Sequence, residues 1–135
     1  MADQEFWKRI RLRSRQTQLF LREAAVKIAG NEYRYLHVLV SIAHGQGIEI
    51  TKWSGVKHWT SDRDCSFPLV VLVECCRLLG KDVLDYIPKE FAVLLWLHDV
   101  IDYPRLVSLR QIQPVLRLNE LPTAKNLSLK VKLHC

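Results

Sequence analysis

Along most of the chain, apolar residues recur at helical spacing; near the end they switch to strict alternation. Phe6, Ile10, Leu21, Ala24, Ala25 and Ile28 form one stripe with no intervening proline, Asp3 can cap its start and Gly30 punctuates its end, so the pattern predicts a helix over 3–29. Asn31 and Glu32 can open a second helix, in which Leu36, Leu39, Val40 and Ala43 follow the i, i+3, i+4, i+7 rule of a single buried face. The breaker His44-Gly45-Gln46-Gly47 interrupts it, because two glycines permit the left-handed backbone of a sharp turn. A short helical pattern follows over 46–54. Ile50 and Trp53, three apart, are expected to face inward, with Gln46, Glu49 and Lys52 outward.

The stretch 58–64 has the polar makeup of a loop. Ser66 is a plausible N-cap, and Pro68 is tolerated in a first turn. Residues 69–79 are apolar on nearly every side, and their β-branched content suits a buried strand as well as a helix. Glu74, Arg77 and the Gly80 stop favour a central helix. Asp82 caps a short helix through Tyr86 that Pro88 ends, and 89–100 reads as a further apolar helix. Its Phe91, Val93, Leu94, Leu95, Trp96 and Leu97 exceed what one face buries, which points to deep burial or a self-association surface. Beyond Asp102 and Pro104, Leu127, Leu129, Val131, Leu133 and Cys135 alternate with polar residues as in a half-buried strand, with 115–118 as the candidate hairpin partner. The expected fold class is therefore mainly α: five or six helices around one core over 1–102, and a small C-terminal β-hairpin or strand over 103–135 that is a candidate for dimerisation.

Charge adds a direction. Of 135 residues, 20 are Lys or Arg and 14 Asp or Glu, giving a net charge of +6 and a pI near 9.3, which favours acidic partners such as nucleic acid. Lys8, Arg9, Arg11, Arg13 and Arg15 cluster on the first expected helix, where they can lie along phosphates or anionic headgroups, or simply form a solvated face. No apolar run reaches the roughly 18–20 residues a bilayer span needs, and 6–15 lacks the apolar core of a signal peptide. The expectation is a cytoplasmic chain, without membrane association, whose cysteines stay reduced. Cys75 and Cys76 then read as buried hydrophobes.

Catalytic chemistry finds little to stand on. The histidines are scattered with no HExxH, the cysteines contain no CxxC, and no phosphate-binding glycine loop occurs. His58, Cys65, Cys75 and Cys76 make a poor metal set, and His98-Asp99 reads as a helix terminus rather than an acid–base pair. No enzyme activity, cofactor, metal or small-molecule substrate is expected. Trp59, in the polar loop, is expected to pack over that loop rather than to touch a sugar or base.

Two short patterns carry a resemblance. Ile50-Thr51-Lys52-Trp53-Ser54-Gly55 is similar to an Ile-Ser-Arg-Trp-x-x-Gly motif. The run 69–79, followed by Gly80 and Val83-Leu84-Asp85-Tyr86-Ile87, is similar to an apolar helix ending in Leu-Gly with a short leucine-rich helix behind it. On these residues 36–87 resembles the lambda-repressor-like (Cro/Xre) helix-turn-helix family. The resemblance implies a helix-turn-helix core at 31–87, with 31–43 as supporting helix and 46–54 as recognition helix. Gln46, Gly47, Ile48 and Lys52 would then occupy base-facing positions, where glutamine pairs with adenine, lysine donates to guanine and isoleucine touches a thymine methyl. Arg9, Arg11, Arg13, Arg15, Lys57 and Arg63 would supply phosphate charge. The function this implies is a sequence-specific, non-enzymatic transcriptional regulator. It would bind double-stranded DNA as a homodimer joined through 91–97 or 127–133. The alternative is a helical protein–protein interaction module or adaptor subunit that uses the 91–97 surface.

Overall fold

The structure, a computed structural model, describes residues 4–110, Arg110 by its backbone alone. It is mainly helical, with one small two-stranded antiparallel sheet. In chain order come α1 (Gln4–Arg9), β1 (Arg11–Leu12), α2 (Arg15–Ala29), α3 (Tyr35–Gly45), α4 (Trp53–His58), β2 (Phe67–Pro68), α5 (Leu69–Leu79), α6 (Ala92–Leu97) and α7 (Tyr103–Arg110). Single 3-10 turns at Val83–Asp85 and Lys89–Phe91 join α5 to α6.

The centre is α5, as its apolar run anticipates. Leu69, Val70, Val71, Leu72, Cys75 and Cys76 are all buried. Around it, α2 packs on α3 and α5, α3 on α4 and α5, α1 on α5, and α6 on α7, so that a single hydrophobic core runs through the described residues. The helix begins one residue past Pro68, whose φ of −65° is already helical while its ψ of 130° is extended. Pro68 thus takes the cap position expected for Ser66. Gly80 closes α5 in the left-handed region at φ 66°. Asp82 Oδ1 accepts from the Leu84 N–H at 3.0 Å, capping the turn as the sequence suggests.

Two expectations are corrected, and one that named two alternatives is narrowed. The stretch 3–29 is not one helix. Ile10 and Leu12 are buried while Arg11 and Arg13 point away, a period of two, and β1 pairs with β2 in the register Arg11↔Pro68 and Leu12↔Phe67. Ser14, extended at φ −159°, restarts the helix by accepting from the Thr17 N–H at 3.3 Å. Second, of the two readings of the apolar excess at 91–97, burial holds for Phe91 to Leu95, while Trp96 and Leu97 are half-buried. Third, the appendage expected from 103 begins with a helix, α7, whose Leu106 joins the core; the expected strands at 115–118 and 127–133 lie outside the described residues. A smaller shift occurs at α3. Asn31 Oδ1 accepts from the N–H groups of Tyr33 and Arg34, both at 2.9 Å, in a turn that delays the helix to Tyr35.

α1 is tied to the far end of the core. Trp7, buried, stacks on His98 with ring centroids 4.2 Å apart and planes 20° apart, and Phe6 lies alongside at 6.4 Å. Among the described residues, no helix is long and apolar enough to cross a membrane.

Candidate functional site

The feature that stands apart from this packing is α4. Of its six residues only Val56 is buried, at 1% exposure; Trp53, Ser54, Gly55, Lys57 and His58 face solvent. Val56 and Trp59, three apart and both in the core, nail the helix to the body. At 100° per residue, Ser54 and His58 lead the face opposite Val56, Trp53 and Lys57 form one flank, and Gly55 lies on the other. Trp53 is 46% exposed, and its ring meets His37 of α3 edge-on, with centroids 4.6 Å apart at 80°.

A six-residue helix does not hold itself together in water, and here α2 supplies the support. Gln18 is 1% exposed, and its side-chain N–H groups donate to three backbone carbonyls at and beyond the end of α4: His58 at 3.2 Å, Trp59 at 3.1 Å and Arg63 at 3.0 Å. Its Oε1 accepts from the Cys65 N–H at 3.3 Å and from Arg15 at 3.1 Å. Arg15 in turn donates to the carbonyls of Ser61, at 2.6 Å, and Arg63, at 2.9 Å. A guanidinium facing these carbonyls also suits the negative end of the helix. β1 fastens the rest of the loop: Arg11 donates to the hydroxyl and the carbonyl of Ser66, each at 2.9 Å, and Arg13 pairs with Asp64 at 3.4 Å.

The residues singled out in the sequence therefore separate into groups. Arg11, Arg13 and Arg15 brace the segment behind α4, whereas Arg9, Lys57 and Arg63 are exposed cations with no carboxylate of the described residues within ion-pair distance. The helix expected over 46–54 starts seven residues later than that pattern suggests. Gln46 caps the end of α3, its N–H reaching the Ile42 carbonyl at 3.0 Å. Gly47 turns the chain at φ 78°, and Ile48 is half-buried against the core. A Cβ at Gly47 would meet Lys8 Nζ at 3.2 Å, so α1 covers this turn. Only Lys52, extended at φ −138° and exposed, belongs to the front of α4. Trp53 points out instead of in, and Val56 takes the inward place.

Sequence reasoning missed Gln18, Val56 and the outward Trp53. Each left a trace. Gln18 shares the helical stripe of Leu21 and Ala25, where a polar residue needs buried partners, and Val56 and Trp59 are apolar three apart in polar surroundings. Trp59 itself is buried in the core.

Elsewhere, reactive groups are muted. Burial pushes the Cys75 thiol up to about 12, with the neighbouring Cys76 and Glu74 adding to the rise. Burial and Asp82 do the same to Cys76, also to about 12. Such thiols stay protonated and unreactive near neutrality. Among the described residues no group of three or more His, Cys, Asp or Glu side chains is placed to hold a metal ion. A groove of about 680 Å³ runs between the end of α5 and the start of α7, and several of the charges at it are engaged. Arg105 pairs with Asp82, Arg77 with Glu74, and Asp102 accepts from the Arg105 N–H. Comparison with known proteins adds no relative: no family model matches the chain, nor does a curated protein or a solved structure.

Proposed function

We propose that the chain is a sequence-specific, non-enzymatic DNA-binding regulator that lays α4 in the major groove of double-stranded DNA. The observation that carries this reading is the stance of α4: a short helix anchored by one side chain, with five of its six residues in water and its base clamped by Gln18 and Arg15. Six residues make a rod about 9 Å long, and the major groove, about 12 Å wide, admits a helix. Around α4 stand Lys52 and Lys57, exposed and without an ion pair among the described residues, in a chain of net charge +6.

In this reading Lys52, Trp53, Ser54 and Lys57 meet base edges, and Arg9 and Arg63 contact phosphates. The base-facing set thus moves forward from Gln46, Gly47 and Ile48, which the α3–α4 connection holds back. In this reading α3 is the supporting helix, and α4, which starts at Trp53 and not at Gln46 as the resemblance implied, is the reading one. A homodimer would present two such helices to a two-fold site.

Titration of the full chain with random-sequence duplex DNA at two salt concentrations tests the proposal. Affinity should fall steeply as salt rises, and Arg63→Ala should reduce the slope of log affinity against log salt by about one. Binding that is absent, or that ignores salt, overturns it.

A further inference from the structure

Two side-chain facts about α4 find no explanation in folding. Gly55 sits within a helix yet has no positive φ, and a Cβ built there would meet nothing within 4 Å. Alanine would fit and would favour the helix, so glycine carries a cost the fold does not require. Across the helix, Trp53 keeps nearly half its surface in water while His37 fixes the angle of its ring. One flank is bare and the other carries a large, preoriented apolar plate.

We propose that Trp53 reads a thymine in the major groove, its ring against the C5-methyl and its indole N–H toward O4, while Gly55 lets the opposite groove wall approach α4. This rests on the reading of α4 as the DNA-contacting helix. The chemistry singles out the base. An indole donates one hydrogen bond and accepts none. Adenine and cytosine present amine donors that it leaves without a partner; guanine presents acceptors but no apolar group. Only thymine sets a methyl beside an acceptor. The ring held edge-on by His37 arrives with its orientation already chosen, which lowers the ordering cost of the contact.

The test begins by selecting random-sequence duplex on the full chain and resynthesising the enriched duplex with deoxyuridine in place of each thymine in turn, which deletes the methyl alone. At one position per half-site, wild-type affinity should fall roughly fourfold, the worth of a buried methyl. Trp53→Ala should show no penalty there. Trp53→Phe, which keeps the apolar face without the N–H, should retain it. Gly55→Ala should raise Tm by about 2–4 °C and weaken binding about tenfold. Deoxyuridine tolerated everywhere by the wild type, an equal penalty in Trp53→Ala, or unchanged binding by Gly55→Ala overturns the inference and leaves the DNA reading standing. Failure to enrich any duplex removes both.

Discussion

α4 and α6 are both six residues long, and the fold treats them oppositely. α6 buries Ala92, Val93, Leu94 and Leu95, whereas α4 buries Val56 alone. The first is a peg in the core, held by apolar area removed from water. The second is presented outward and depends on a hydrogen-bond clamp from α2 for its position. A surplus of apolar residues in a short helix therefore marks the element that the body consumes. The sparse one, with a single anchor and cations around it, is the element left for something else to meet.

Substitutions sharpen that contrast. Leu94→Ala should have the largest effect, destabilising by about 3 kcal/mol in urea melts, because a fully buried leucine leaves a cavity. Ser54→Ala, on the exposed face, should stay within about 0.5 kcal/mol. Gln18→Leu should cost about 2 kcal/mol, since the replacement takes away the partner of the Trp59 carbonyl and of the Cys65 N–H. Faster amide hydrogen exchange confined to α4 and 59–66 would show the clamp at work. Equal loss of protection in α6 would break the comparison.

Alkali tests the core side alone. The folded Cys75 and Cys76 thiols hold their protons to about pH 12, against an ordinary value of 9.0 once unfolded. Unfolding between those values releases protons, so stability should be intact below pH 9 and fall as pH rises through the window. Cys75→Val should flatten part of that decline in pH-dependent urea midpoints. A smaller effect is expected at the turn leading into α4. Gly47→Ala should cost about 1 kcal/mol, from φ 78° and the crowding of Lys8.

How much of this was legible in the sequence varies with length and periodicity. α3 and α5 are eleven residues each, long enough for three turns of pattern, and of the four residues the spacing picks out in α3, Leu39, Val40 and Ala43 are buried and Leu36 half-buried. β1 was hidden because its two residues sit inside a longer stripe that fits a helix equally well; the cue is the alternation Ile10-Arg11-Leu12-Arg13. α4 is too short to show a period, so its frame was set by Ile50 and Trp53 when tertiary packing chose Val56 and Trp59. The roles of Arg11, Arg13 and Arg15 depend on carbonyls and a carboxylate some fifty residues away, at Ser61, Arg63, Asp64 and Ser66, which no local pattern encodes.

The stacking of Trp7 on His98 also sets a timetable. At roughly 5–20 residues per second of synthesis, Trp7 leaves the ribosome on the order of ten seconds before the imidazole it rests on. During that interval α1 can dock on α5 but lacks the ring that covers Trp7. Nascent chains halted short of His98 should leave the Trp7 indole wet, a difference that its fluorescence reports directly.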